Sequence, residues 1–299
     1  MKEVKQIFLS ELEHRFGHFH KLGESLSLFG LDTNKVIVYL RYSKIHDRDK
    51  TFYGLRKKDL QQLEGHLAFI CLLWDGQAEP LFIPYADYED VFNSTIPADD
   101  GQYKVQVLFQ ENATELYVAK AGKFNVEGYF GWEPFERAIR TIGSVTPELS
   151  HSQIQTLLGS IGALKNYDIW IPLIDRSKLD WTVAKQFGVR EQIPHGFGQV
   201  ESILNEIDVI WIQRGANDIK ALFEVEHSTP IYSGLLRFND IHLTAPNLHL
   251  RFSIIANSER RSLFVKQLNR PTFKVSGLGD LCAFLEYTDV YNWHRRIMV

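Results

Sequence analysis

The chain has 299 residues, 44% of them hydrophobic and 13% aromatic, and a formal net charge of −4. That suits one large domain or two ordinary ones with real cores, and it excludes a disordered chain and a histone-like polycation. Two cysteines far apart, Cys71 and Cys282, exclude a disulfide framework and an all-cysteine zinc site, and point to the reducing cytoplasm.

The opening stretch MKEVKQIFLSELEHRF lacks the apolar core of a signal peptide, and no run of 18 apolar residues suggests a membrane span. Residues 7–15 and 57–64 read as short helices. LAFICLLW, Leu67 to Trp74, reads as a buried strand ended by the turn Asp75-Gly76. PLFIPY, YKVQVLFQ and TELYVAKAGKF follow as strands, the second with Tyr103, Val105, Val107 and Phe109 on one face. The first half is therefore a strand-rich α+β region, with a small barrel as one form it can take. Its run from Arg41 to Lys58 holds seven Lys/Arg against two Asp. Such a run is either a solvated face or a phosphate-binding patch.

Between Arg140 and Ser150, RTIGSVTPELS mixes Gly, Ser, Thr and Pro, which places a boundary between domains 1–143 and 144–299. Ser150 then caps a helix with Ile154, Leu157, Leu158 and Ile161 on one side. DIWIPL (168–173), EIDVIWIQ (206–213) and IKALFEVE (219–226) read as strands, with a turn at Gly215 to Asp218 joining the last two. Thr229-Pro230 starts a helix carrying Ile231, Leu235 and Phe238 on one side. A strand at LHLRFSIIA (248–256) and a helix capped by Ser258 complete a mixed α/β layer. A second basic run, Arg251 to Lys274, carries six Lys/Arg against one Glu.

The chemistry concentrates in FEVEHS, Phe223 to Ser228. Strand alternation turns Ile219, Ala221, Phe223 and Val225 to an apolar core, and Lys220, Leu222, Glu224 and Glu226 to the other side. The two carboxylates are then about 6.6 Å apart along the strand. Asp208, between Ile207 and Val209, falls at their level if the two strands pair as a hairpin. Buried carboxylates need a cation among them. Three acids without cysteine are hard ligands, suited to Mg²⁺ or Mn²⁺. The competing reading is an ion-pair network with Lys or Arg, which the strands themselves do not supply nearby.

The spacing D-x15-E-x-E on an αβββαβ core resembles the PD-(D/E)xK nuclease superfamily, as an ExE variant of its motif. The resemblance makes Asp208 the first strand acid and Glu224 and Glu226 the (D/E)xK pair. Isoleucine 207 stands where proline is usual, and Glu226 where lysine is usual. Some restriction endonucleases of the superfamily carry Glu there and remain active. Lys220 shares the strand face but lies about 13–20 Å from the acids, too far to replace that lysine. FEVEHSTPIYSGLLRFND followed by NRPTF, with IQTLLGSIGALKNYDIWIP upstream, also resembles a group of restriction-type nucleases over residues 150–285.

The resemblance implies a restriction-endonuclease-like αβββαβ core with a mixed sheet. It also implies a Mg²⁺-dependent endonuclease of restriction or host-defence type, with Asp208 and Glu224 on the metal, Glu226 on the attacking water, and Mn²⁺ as a substitute ion. The first helix of that superfamily can add a metal or water contact, here Glu148 or Gln155. Arg237 either balances the acids, grips phosphate or pairs with Asp240. His227 is either a base or a core histidine, since alternation turns it to the core side. Arg270 either contacts phosphate or caps a helix. The first half is then free to recognise double-stranded DNA through Arg41, Lys44, Arg56, Lys57 and Lys58, with Tyr42, Phe52 and Tyr53 for stacking. Cleavage of both strands would call for a homodimer. The alternative is a non-catalytic DNA-binding protein that keeps the nuclease fold, favoured by the missing lysine.

Overall fold

The computed structural model describes residues 2–23, 25–31, 35–47, 49–110, 113–140, 147–216, 218–227, 230–246 and 250–298. The chain divides into two compact units, Met1–Ser144 and Val145–Val299.

The first unit runs α1 (Lys2–Phe16), β1 (Phe19–Lys21), β2 (Leu28–Leu31), β3 (Val36–Ser43), β4 (Ile45–His46), β5 (Lys50–Thr51), β6 (Tyr53–Arg56), α2 (Lys57–Gln61), β7 (Leu67–Trp74), β8 (Leu81–Pro84), α3 (Tyr85–Ser94), β9 (Gln102–Phe109), β10 (Thr114–Val118), β11 (Gly122–Asn125) and α4 (Glu133–Arg140). One sheet has the order β1-β2-β3-β7-β8, the other β11-β10-β9-β5-β4 with β6 also on β9. Alternation along β3 sends Ile37 and Tyr39 into a core shared with Val105, Val107, Leu116 and Val118 of the second sheet. It sends Val36, Val38 and Leu40 to a core with Phe8 and Leu12 of α1 and Phe135 of α4. The strand-rich α+β region thus takes the form of two sheets around a common core, not the small barrel that was one option. TELYVAKAGKF is a hairpin of two strands, β10 and β11, turning at Lys120 with φ of 70°.

The second unit runs α5 (His151–Leu164), β12 (Tyr167–Trp170), α6 (Leu173–Arg176), α7 (Glu201–Leu204), β13 (Val209–Gln213), β14 (Ile219–Val225), α8 (Ile231–Thr244), β15 (Arg251–Ala256), α9 (Arg261–Leu268), α10 (Pro271–Ser276), β16 (Cys282–Glu286) and α11 (Tyr287–Met298). The sheet order is β12-β13-β14-β15-β16. The first three strands are antiparallel, and β15 and β16 add in parallel, so the sheet is mixed. Ser150 accepts from the Gln153 backbone while the Gln153 side chain returns to Ser150, a capping box that fixes where α5 begins. α5 lies close on the sheet because of Gly162: a Cβ there would stand 2.4 Å from Nε1 of Trp211. That indole donates to the Leu158 carbonyl at 3.1 Å.

Both faces of the sheet are buried, which corrects the one-sided reading of β14. Ala221, Phe223 and Val225 pack with Ile154, Leu158 and Ile161 of α5 and Trp293 of α11. Leu222 packs on the opposite face with Ile231, Leu235 and Phe238 of α8. Ile219 joins Leu222 rather than Phe223, because the β13–β14 register shifts between Trp211 and Ile212. Strands covered on both sides lose the apolar–polar alternation on which the one-sided reading relied.

Several ends also differ from the sequence expectation. The strand expected over 168–173 stops at Trp170, and Leu173–Arg176 is a short helix. The strand expected from Glu206 begins at Val209, so Asp208 precedes it. Ser258 opens a 3-10 turn instead of capping a helix by its side chain. Thr229 lies outside the described residues, and Pro230 precedes the first residue of α8. Among the described residues no helix is long and apolar enough to cross a membrane.

Candidate active site

The three predicted acids sit at one end of the β13–β14 pair. Val209 pairs with Phe223, so Asp208 stands one step beyond the last paired residue, beside Glu224. Its Oδ2 accepts from the Val225 backbone N–H at 2.7 Å, which ties the loop carboxylate to the strand. Glu224 and Glu226 are 1% and 2% exposed. The Glu226 N–H donates to the Ile255 carbonyl at 2.8 Å, continuing the β14–β15 ladder one residue past β14.

Helix α8 meets this cluster through two residues one turn apart. Gly234 lets the helix approach closely: a Cβ there would stand 2.7 Å from Glu226 Oε1 and 3.0 Å from Ile254 Cδ1. Arg237 follows at the facing position. Its Nε and Nη2 donate to Oε1 and Oε2 of Glu224 at 2.7 and 2.8 Å. A fork of this kind is the strong, directional form of a charged pair. Arg237 also stands 3.8 Å from Glu206, not on the Asp240 carboxylate considered from the sequence. Burial holds the Glu224 carboxyl above the usual carboxylate range, the Arg237 fork opposes this, and Asp208 and Glu226 add to the upward push. The Arg237 guanidinium is in turn held charged by its bonds to Glu224. Of the roles considered for Arg237, the structure places it on the acids, through Glu224. The cation comes from the helix, not from the strands.

The other side of Asp208 faces α5. Gln155, 1% exposed, donates through Nε2 to Asp208 Oδ1 at 3.3 Å. Its own Oε1 is buried without a hydrogen-bond donor among the described residues. His151, one turn earlier, places Nε2 3.3 Å from the same Oδ1, and that contact raises its pKa above the ordinary 6.5. An open cleft of about 430 Å³ lies here, lined by His151, Gln155, Asp175, Lys178 and Asp208 among others. Sequence reasoning singled out Gln155 but missed His151. The signal was the four-residue spacing of the two after the Ser150 cap, which stacks them on one helix face.

The supporting residues divide. His227 is exposed rather than in the core. β14 ends at Val225, so alternation no longer governs it, and its ring stacks on Tyr287 with Nδ1 3.2 Å from the phenol oxygen. Arg270 rests over the Tyr232 ring, 4.6 Å from its centroid, and donates to Gln267. No contact joins it to the acids. Arg260, not anticipated, donates to the Glu226 and His227 carbonyls at 2.6 and 3.0 Å and pins the end of FEVEH.

In the first unit Arg41 lies on β3 over the Tyr39 ring, Lys44 and Arg56 are exposed, and Lys57 and Lys58 open α2. Tyr53 is core, 4% exposed, with its hydroxyl on the Leu73 carbonyl, and Tyr42 donates to Asp75. Of the three aromatics expected to stack on bases, Phe52 is the exposed one.

A mixed α/β unit with buried acids at one sheet end, next to an open cleft, is the arrangement against which relatives can be weighed. Residues 136–295 match the family described as the C-terminal domain of the Type II restriction enzyme NmeDI, and the chain belongs to that family. The Type II restriction enzyme NmeDI of Neisseria meningitidis serogroup C is 35% identical over 133 residues, which cover 42% of this chain. The match spans 37% of that relative's length, little more than a third. No solved structure matches.

Proposed function

We propose that this chain is a DNA endonuclease of restriction or host-defence type that hydrolyses phosphodiester bonds. The observation that carries the reading is the meeting of Asp208 with buried Glu224 beside an open cleft, in a family of restriction-enzyme C-terminal domains. In this reading the acids take the PD-(D/E)xK arrangement on an αβββαβ core, with Glu226 in place of the usual lysine.

The donor set suits Mg²⁺, with Mn²⁺ as substitute: carboxylate oxygens, no thiol, and the buried Gln155 Oε1 next to Asp208. Asp208 and Glu224 would hold the ion. Such an ion supplies Lewis-acid polarisation and charge neutralisation at a phosphodiester. Asp208 is held in place by the Val225 N–H and Gln155, which spares it reorganisation when substrate arrives. Glu226 orients the attacking water. Arg237 is a charge-balancing or phosphate contact, and Arg270, which does not touch the acids, a phosphate contact. Unit 1 recognises double-stranded DNA through Arg41, Lys44, Arg56, Lys57 and Lys58, fixing register on phosphates. Cleavage of both strands would call for two copies of this site, as in a homodimer. The buried thiols of Cys71 and Cys282 suit a cytoplasmic protein.

A second reading is a non-catalytic DNA-binding protein on the same fold. It is favoured by the Arg237 fork on Glu224, and by the lack, among the described residues, of three His, Cys, Asp or Glu side chains grouped to hold a metal. Incubation with methylated and unmethylated plasmid in Mg²⁺ separates the two. The nuclease reading expects nicks or breaks from wild type and none from Asp208→Ala. Equal cutting by both would remove these acids from the chemistry.

A further inference from the structure

The cation that accompanies Glu224 in this structure is a side chain. Arg237 reaches from α8 with Nε and Nη2 on the two Glu224 carboxylate oxygens, so the fork takes one lone pair of each and its charge stands where a metal on Glu224 would compete. Arg237 is nonetheless a quarter exposed, at 27%, while Glu224 is 2% exposed at its side chain. The guanidinium therefore bridges the buried acid and solvent. Gly234 sets its backbone close against Glu226, which brings the fork within reach. Glu206, 67% exposed and 3.8 Å from Nη1, marks the outward side on which a second anion already sits.

We propose that Arg237 is an exchangeable occupant of the cation position. In DNA-free protein it neutralises Glu224. When a backbone phosphate arrives at the outer side of the guanidinium, Arg237 turns to it and releases Glu224 to the divalent ion. This rests on the nuclease reading and deepens it: the substrate's phosphate, through one arginine, governs when the metal is taken. Both states keep Glu224 beside a cation, so neither leaves a buried carboxylate uncompensated. Guanidinium suits both partners, since carboxylate and phosphate present the same two-oxygen edge. By linkage, metal must favour DNA binding by the same factor by which DNA favours metal.

The test is Mn²⁺ binding by titration calorimetry on the full chain, with and without a mixed-sequence duplex, for wild type, Arg237→Gln and Arg237→Lys, each checked for folding by near-ultraviolet circular dichroism. Without duplex, Arg237→Gln binds Mn²⁺ on the order of tenfold tighter than wild type, because the competitor is gone. Arg237→Lys, which keeps the charge and loses the fork, falls between them and serves alone if Arg237→Gln does not fold. The duplex tightens Mn²⁺ binding to wild type more than to either variant. Unchanged or weaker binding in the variants, with wild type binding Mn²⁺, overturns the exchange and leaves the nuclease reading standing. No Mn²⁺ binding by any of the three proteins, with or without duplex, overturns both.

Discussion

Two acids bracket β13, and they are treated differently. Asp168 on β12 pairs across to Ile212 near one end and stands 3.6 Å from Arg190 and 3.4 Å from Arg214, with all three side chains about a third exposed or more. Glu224, beside Asp208 at the other end, is buried and gripped by a single arginine through two short bonds. Water screens the first set, so its geometry is loose and its worth small. In the second set the buried Glu224 lacks that screening, and each of its contacts carries weight. A buried carboxylate cluster that survives selection against its own cost invites a chemical explanation; a solvent-side one does not.

The largest effect that would sharpen this contrast comes from Arg237→Ala. It leaves Glu224 buried without its fork and should cost about 3–5 kcal/mol in chemical denaturation. A loss under 1 kcal/mol would mean that the pair is as slack as the one at Asp168. Next comes Gly234→Ala. Alanine is the better helix former by about 1 kcal/mol, yet its Cβ would press on Glu226 Oε1 at 2.7 Å and Ile254 at 3.0 Å. Overpacking of about 1–3 kcal/mol should win, so the melting temperature falls; a rise would show that α8 can back away from the acids.

His151 offers a pH test at the same end. Its folded pKa is raised above 6.5, first by the hydrogen bond to Asp208 and then by the charge of Asp208. The stabilisation is therefore fully present below 6.5 and is lost as pH rises through the folded value. Metal-free wild type should lose stability across that window, and His151→Gln should lose less. Parallel curves for the two proteins would remove this contact from the account. The smallest effect is expected at the solvent-side pair: Arg190→Ala should cost no more than about 1 kcal/mol, since Arg214 remains beside Asp168.

Much of the local structure was readable from residue order. Ser150 announces α5, the spacing of Asp208, Glu224 and Glu226 announces the cluster, and Asp75-Gly76 announces the end of β7. What escaped depends on contacts distant in sequence. Burial of both faces of β14 requires α5, α8 and α11 to close over it, and a bulge opposite Trp211 moves Ile219 to the other face. Tyr53 looks like a surface aromatic within a basic run until the two sheets of the first unit enclose it. The choice of Glu224 by Arg237 depends on how closely α8 approaches, which Gly234 permits but does not announce. His227 was misplaced because alternation was carried two residues past the end of the strand.

The contrast between the two ends reduces to one assay. Plasmid cleavage in Mg²⁺ is compared for wild type, Asp168→Asn and Glu224→Gln. If the buried end is the catalytic one, Asp168→Asn cuts at the wild-type rate and Glu224→Gln does not cut. Undiminished cutting by Glu224→Gln would contradict it.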